Sequence, residues 1–351
     1  MKNSIRFGAA ITASALVLAA CSAAPEATPA PTDDTATPVE TVDYKPCIVS
    51  DAGGFDDRSF NQAGYEGLQE VVAAYGMDTA QAESADDTEY EPNISALVAA
   101  DCDMIITVGF LLGDATANAA AANPDVDFAI IDFAYNEPID NVKPLLFNTD
   151  EAAFLAGYAA AATTQTGTVA TFGGIPIPPV TIFMDGFLSG VNYHNETQGT
   201  TVQVLGWDGT DGSFTGNFDD QTAGQNLTTG FIDQGADIIL PVAGPVGLGA
   251  AAAAREAGNV WIIGVDQDWV VTAPEYADII FTSIMKNMGP AVYDVVETTA
   301  VGAGFSNAPY FGTLENEGVG IADFRDAPVS DELLAALEEI RAGIIDGSIT
   351  P

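Results

Sequence analysis

The densest group of polar and aromatic side chains follows the first apolar stretch after the N-terminal segment. Asp51, Phe60 and Asn61 belong to this group. They combine a ring that can stack on a flat ligand with a carboxylate and an amide that can hydrogen-bond its edge. Asp57 or Ser59 is expected to cap the helix that follows, whose first amides would face a ligand. Capping does not explain the other three side chains, which together predict a binding site.

Residues typical of enzyme active sites are scarce. The single histidine, His194, follows a helical run and is expected to be exposed, so no Ser-His-Asp arrangement can be built on it. We find no His or Cys pair with metal-ligand spacing, no phosphate-binding loop and no glycine string with dinucleotide-binding spacing. Aspartate is abundant, so a carboxylate-dependent hydrolase stays an alternative. The pattern favours a binding protein without catalytic residues, metal or cofactor.

Short apolar stretches alternate with longer helical patterns, which is typical of parallel sheets built from βαβ units. Two series of strands are predicted, each of the size of one doubly wound domain. The predicted strands are 47–51, 77–82, 103–109, 127–132 and 142–147, then 168–172, 201–205, 237–242, 260–266 and 278–283. The predicted helices include 60–75, 222–234, 246–257 and 330–345, the last with Ser330 and Asp331 as caps.

The fold class is therefore α/β with two lobes, and a ligand cleft is expected between them at the carboxyl ends of the strands. Chain crossings are expected at 143–157, 280–287 and 319–324. They define an N-terminal lobe of residues 44–147 and 284–320 and a C-terminal lobe of residues 148–283 and 321–351. Several crossings form a hinge, which predicts closure around a ligand.

The N-terminal segment is typical of a bacterial lipoprotein. Lys2 and Arg6 precede an apolar stretch that is short for a membrane span, and small residues lead directly to Cys21. We expect residues 1–21 to be a signal peptide with Cys21 as the lipid-attachment site, an uncleaved anchor being the alternative. Residues 22–43, rich in Pro, Thr, Ala and acids, are expected to form a disordered tether. The protein would be lipid-anchored on the extracytoplasmic side of the cell membrane.

The charge of the chain limits its partners. The sequence has 9 basic and 50 acidic residues, and loss of Lys2 and Arg6 with the signal leaves a net charge of −43. Such a chain repels nucleic acid and anionic lipid head groups, so no nucleic-acid partner is expected. Because cations are so few, a lysine or arginine at a predicted cleft is notable.

The cluster at residues 51–62 resembles the basic membrane protein family, the purine-nucleoside-receptor-like lipoproteins of ABC importers. Its centre is Asp-Asp-Arg-Ser-Phe-Asn-Gln at residues 56–62. Further matching stretches, in the family's order, are 108–110, 153–157, 172–174, 235–237, 242–244, 263–268, 282–286 and 344–349. The resemblance covers nearly all of residues 44–351.

The resemblance implies a periplasmic-binding-protein fold of type I with three crossovers. It also implies capture of a nucleoside, purines favoured, and its delivery to a membrane permease by a monomeric protein that is not an enzyme. The ligand-binding residues that it implies, together with Asp57 from the cluster, are Asp51, Asp57, Phe60, Asn61, Phe218, Gly244, Asp266 and Lys286. Asp51 and Asn61 would contact the base. A sensor lipoprotein for another small solute is the alternative from a different class, and neighbouring genes for a permease and an ATPase would discriminate the two.

Two rings are expected to stack on the base. Phe60 is the first, and Phe218 matches the family's second stacking phenylalanine. The segment before Phe218 is longer than the family's pattern, so Trp207 and Phe214 are rivals for the second position.

Gly244, Asp266 and Lys286 match the group that holds the sugar. Asp266 ends a predicted strand, and a carboxylate can accept hydrogen bonds from two adjacent hydroxyls. Lys286 could orient Asp266 and donate to the same sugar, although it could also be a simple surface lysine. Asp268 is the alternative acid, and it could instead cap the helix that follows.

The fold implied by the resemblance also pairs two cysteines. Its strand order 2-1-3 places the first and third strands side by side, with Cys47 and Cys102 at the same amino-terminal edge. Neighbouring strands lie about 4.7–4.9 Å apart, within the Cα separation of roughly 4.4–6.8 Å that a disulfide spans. We therefore predict a disulfide between them, with two buried free thiols as the alternative.

Overall fold

The structure is a computed structural model that describes residues 41–351. The predicted signal peptide, Cys21 and all but the last residues of the predicted tether lie outside the described range. The strands are β1 (Pro46–Ala52), β2 (Ala80–Ser84), β3 (Met104–Val108), β4 (Asp127–Ile131), β5 (Val142–Phe147), β6 (Thr168–Gly173), β7 (Gln203–Leu205), β8 (Ile238–Val242), β9 (Trp261–Asp266), β10 (Ile280–Lys286), β11 (Tyr310–Gly312) and β12 (Val319–Ile321). The α-helices are α1 (Phe60–Tyr75), α2 (Tyr90–Ala99), α3 (Gly113–Ala122), α4 (Thr149–Thr163), α5 (Pro178–Gln198), α6 (Gln221–Asp233), α7 (Val246–Ala257), α8 (Trp269–Thr272), α9 (Met288–Ala300) and α10 (Asp331–Ile345).

The strands form two six-stranded sheets with equivalent strand orders. The first sheet, which defines the first lobe, runs β11-β5-β4-β3-β1-β2, and the second, which defines the second lobe, runs β12-β10-β9-β8-β6-β7. All neighbours are parallel except β10 and β12. Helices cover the faces, so the central strands β3 and β8 are buried along their whole length. The two-lobed α/β fold with doubly wound sheets is confirmed.

The chain passes between the two sheets three times. It leaves the first sheet after β5 and reaches β6 through α4; it returns after β10, where α9 packs against α1; and it passes from β11 to β12. The α4 segment has no polar face because α5, α10 and strands of the second sheet surround it.

The structure confirms the predicted disulfide. Cys47 and Cys102 are joined, with their Cα atoms 6.0 Å apart. Strand β1 pairs with both β2 and β3, as the 2-1-3 order requires. The bond lies at the amino-terminal edge of the first sheet, opposite the edge at which β1 ends in Asp51 and Ala52.

Two smaller expectations have different outcomes. Ser330 caps α10, since its hydroxyl oxygen accepts a hydrogen bond from the amide of Leu333 at 3.2 Å, as predicted. The exposed position expected for His194 is wrong: it lies inside α5, is buried, and its ring meets the Tyr158 ring edge-on at 5.1 Å. The histidine is part of the α4–α5 contact.

Among the described helices, none combines the length and the apolar character that a membrane span requires.

Candidate ligand-binding cleft

A cavity lies between the two lobes, at the carboxyl ends of the strands of both sheets. All eight residues predicted to bind a ligand line it: Asp51, Asp57, Phe60, Asn61, Phe218, Gly244, Asp266 and Lys286. Asp51 lies near the end of β1, Asp57 lies in the loop that follows, and Phe60 and Asn61 begin α1. The structure therefore brings together residues that are more than 230 positions apart in the sequence, as Asp51 and Lys286 are.

Asp57 organises the loop that leads into α1. Its carboxylate accepts hydrogen bonds from the backbone amides of Ser59 at 2.9 Å, Asn61 at 2.9 Å and Gln62 at 3.0 Å. These amides would otherwise be unsatisfied at the helix start. Asp57 is thus the helix cap, one of the two caps that the sequence allowed, and its hydrogen bonds fix the direction of the first turn. Phe60 in that turn lines the cavity as a result.

Asp51 and Asn61 form a hydrogen-bonded pair that lines the cavity. The amide Nδ2 of Asn61 donates to Asp51 Oδ1 at 2.9 Å and to Asp57 Oδ2 at 3.3 Å. Gly109, with φ of 122°, packs against the Asp51 carboxyl where a side chain would not fit. Burial raises the pKa of Asp51 to about 7, and the nearby Asp57 carboxylate adds to the rise.

Asp266 lies on the opposite lobe, at the end of β9. Its φ of 68° is uncommon for a residue with a side chain, and such backbone conformations cluster at functional sites. The Ser59 hydroxyl donates to Asp266 Oδ2 at 2.5 Å, and the Gln267 side chain donates to the Ser59 carbonyl at 3.0 Å. Burial raises the pKa of Asp266 to about 6, against the opposing effect of the Lys286 charge.

Lys286, at the end of β10, forms a buried ion pair with Asp132 of the first lobe. The expectation that Lys286 would orient Asp266 is therefore replaced by a different arrangement: Ser59 holds Asp266, and Asp132 holds Lys286. The ammonium also lies 5.0 Å from the centroid of the Phe60 ring, within cation–π range. A simple surface position for Lys286 is excluded, since only 3% of the side chain is exposed.

Of the three aromatic residues considered for the second stacking position, Phe218 is the one that lines the cavity. It packs on Gly174, where any side chain would collide with the Phe218 ring. Trp207 packs elsewhere in the second lobe, with its indole N–H donating to Asp185 at 2.8 Å and its ring edge-on to Phe214 at 6.1 Å. Phe218 thus faces the space that Phe60 lines from the other lobe.

The geometry also decides between Asp266 and Asp268, the two acids considered for one position in the site. Asp268 accepts a hydrogen bond from the amide of Val270 at 3.0 Å and pairs with Arg325, so it caps α8 and is occupied. Gly244, with φ of 52°, forms the turn between β8 and α7 and lines the cavity. Nothing lies within 4 Å of where its side chain would be, so open space faces this turn.

Chemically, the cavity suits a flat, neutral molecule with hydrogen-bond donors. Aromatic rings and carboxyl groups from both lobes line it. Burial raises the pKa of Asp57 and of Asp132 as well, because charged carboxylates lose solvation there. Within residues 41–351, no group of three or more His, Cys, Asp or Glu side chains is placed to hold a metal ion.

Comparison with known proteins agrees with this architecture. Residues 45–349 match the family described as ABC transporter substrate-binding protein PnrA-like. The chain belongs to this family. Basic membrane protein A of Borreliella burgdorferi is 35% identical over 243 residues, which cover 68% of each chain. A Lactococcus lactis protein named ABC transporter nucleoside-binding protein BmpA is 30% identical, covering 88% of this chain and 89% of its own.

A solved structure extends the agreement to three dimensions. The ABC transporter solute-binding protein of Aeropyrum pernix K1 superposes with a TM-score of 0.78 at 26% identity, covering 88% of this chain and 92% of its own. Membership of the basic membrane protein family, which the cluster around Asp51 indicated, is confirmed. The chain is therefore an ABC transporter substrate-binding protein by family.

Several cavity residues were missed by sequence reasoning. Asp132 follows β4 and has φ of 69°, so it occupies in the first sheet the place that Asp266 occupies in the second. The rule that ligands bind beyond strand ends could have found it. Phe110 and Phe183 also line the cavity. Phe183 lies within α5, where no local pattern distinguishes a cavity residue from a core residue.

Proposed function

We propose that this protein captures a nucleoside, with purines favoured, between its two lobes and delivers it to a membrane permease. The observation that carries the proposal is the cavity itself. Phe60 and Phe218 line it from opposite lobes, as a base-stacking site requires. Asp51 with Asn61 and Asp266 with Lys286 add polar groups that suit a base edge and a sugar.

The proposal includes a hinge motion. The three connections between the sheets would let the lobes rotate, and the contacts of Ser59 with Asp266 and of Arg58 with Glu275 would form on closure. Such a cycle binds and releases a solute without chemistry, so we infer that the protein is not an enzyme. Anchoring through Cys21, on the extracytoplasmic side, would hold the monomer near its permease.

The relatives support the nucleoside as the ligand class. The Lactococcus lactis relative bears the name nucleoside-binding protein. That name describes only the relative. For this chain, the proposal rests on the eight predicted residues that line the cavity.

The test is mass spectrometry of small molecules that denaturation releases from freshly purified protein. We expect a nucleoside, in close to stoichiometric amount, from the wild-type protein. An Asp266→Ala variant purified in parallel should release much less, whereas Asp278→Ala, which changes an exposed carboxylate, should release as much as the wild type. Release of a different solute from the wild type would contradict the proposal.

A further inference from the structure

One polar atom in the cleft has no partner. The side-chain oxygen Oδ1 of Asn61 is buried and receives no hydrogen bond from the residues that the structure describes. Asn61 is only 2% exposed and lines the cavity. A buried acceptor without a donor is costly, so such an atom in a binding cleft indicates a donor on the ligand.

The orientation of this amide follows from its neighbours. Asn61 Nδ2 donates to two carboxylate oxygens, Asp51 Oδ1 and Asp57 Oδ2. Turning the amide over would place Oδ1 against those same two oxygens, which have no proton to give when they are ionised. The amide donor is therefore committed to the protein, and the acceptor is what remains for a ligand.

Asp51 adds a second free acceptor beside the first. Its Oδ1 is occupied by Asn61, whereas Oδ2 has no donor among residues 41–351. The base end of the cleft thus offers two acceptors, Asp51 Oδ2 and Asn61 Oδ1, from side chains that are themselves hydrogen-bonded to each other. No free donor of either side chain faces a ligand while Asp51 is ionised.

The common bases differ in how well they complement two acceptors. Guanine carries two adjacent donors, the ring N1–H and the 2-amino group. Hypoxanthine has the N1–H but lacks the amino group. Adenine places an acceptor, N1, next to its 6-amino group. Its N1 would therefore face one of the two acceptor oxygens without a proton between them.

We propose that the Asp51–Asn61 pair selects guanine over other purine bases, because its two free acceptors require two adjacent donors. This inference rests on the proposed nucleoside-binding function and concerns the specificity of the same cleft. Asp51 and Asn61 are the specificity-determining residues. Phe60 and Phe218 would stack on any purine and contribute no discrimination among them.

The experiment is calorimetry at about pH 8, where Asp51, whose pKa is raised to about 7, is mostly ionised. Protein stripped of ligand is titrated with guanosine, inosine and adenosine, which share one sugar. Losing one hydrogen bond to a buried partner weakens binding roughly tenfold to a hundredfold. We expect guanosine to bind at least about tenfold more tightly than inosine and than adenosine. Nucleoside binding with no advantage for guanosine would overturn the inference and leave the proposed function standing, whereas no binding of any nucleoside would overturn both.

A substitution at Asp51 tests the same inference by changing the preference between guanosine and adenosine. In Asp51→Asn the new amide can still accept from Asn61 and would direct a donor at the ligand, which suits N1 of adenine and opposes N1–H of guanine. The guanosine-to-adenosine affinity ratio should fall by about tenfold or more. Asp56→Asn, in the same loop but exposed, should leave the ratio unchanged. An unchanged ratio in folded Asp51→Asn would overturn the inference.

Discussion

At the scale of single residues, four carboxyl groups and one ammonium group line the cleft, and the partners of the carboxyl groups differ. Asp57 is saturated by backbone amides, and Asp132 is paired with Lys286. Asp51 and Asp266 each accept from one neighbouring side chain at a single oxygen. These two acids are therefore the carboxylates available to a ligand, one in each lobe.

Asp266→Ala should weaken nucleoside binding far more than Asp278→Ala. Sugar hydroxyls that lose a buried acceptor cost about 1–3 kcal/mol, which is roughly tenfold to a hundredfold in affinity. Asp278 is exposed and pairs with Arg255 away from the cavity, so its loss should change the affinity little. Calorimetry with one nucleoside on both variants measures the difference, and equal losses would mean that the cleft has been misplaced.

The stability of the ligand-free protein should fall as the pH rises through 6 to 7. Folding raises the pKa of Asp51 to about 7 and that of Asp266 to about 6, from 3.8. The folded state therefore binds these protons more tightly than the unfolded state does. The stabilisation is complete below the ordinary pKa and is lost as the pH passes the raised values.

Thermal unfolding between about pH 4 and pH 8 measures this dependence. Asp51→Asn removes one of the carboxyl groups whose pKa folding raises, and it should flatten the fall in melting temperature. The exposed neighbour Asp56 provides the control, since Asp56→Asn should follow the wild type. Parallel curves for wild type and Asp51→Asn would show that Asp51 is not the titrating group.

At the scale of elements, strongly patterned segments were predictable and enclosed or very short ones were not. The bounds of α1, α7 and β5 agree with the sequence prediction because turn or capping residues flank clear apolar periods. Strands β11 and β12 have three residues each, too few for a period to show. The site shows a similar limit. Residues at strand ends can be predicted from the topology, whereas the position of Phe183 in the cavity depends on how α5 packs.

The contact between α4 and α5 depends on glycines at the crossing. A side chain at Gly190 would collide with the backbone of Phe154 and Tyr158. Gly190→Ala should therefore lower the free energy of unfolding by about 1–3 kcal/mol. Gly230→Ala, in α6 with nothing within 4 Å of the new methyl, should raise it by about 0.5–1 kcal/mol. Urea unfolding of both variants tests this, and equal shifts would contradict close packing at Gly190.

At the scale of the whole molecule, a very acidic chain holds its lobes together with few cations. Arg255 and Arg325 pair with acids within the second lobe. Lys286 with Asp132, and Arg58 with Glu275, instead join the lobes. Since Arg58 and Glu275 are both exposed, their ion pair should contribute little and be weakened by salt.

The disulfide stabilises the first lobe without touching the cleft. Cys47 and Cys102 are 55 residues apart, a loop whose closure contributes about 4 kcal/mol in the chain-entropy model, as an upper estimate. A Cys47→Ala and Cys102→Ala double variant should unfold at lower urea concentration and keep the affinity of the wild type. Loss of affinity in the folded double variant would contradict a purely structural role.

The central claim is that the cleft captures a nucleoside and leaves it unchanged. The most direct measurement is calorimetric titration of ligand-stripped protein with guanosine, followed by chromatography of the ligand recovered from the same sample. We predict saturable binding of one molecule per chain and full recovery of intact guanosine. Absence of binding across a nucleoside panel, or accumulation of free base in the recovered sample, would contradict the account.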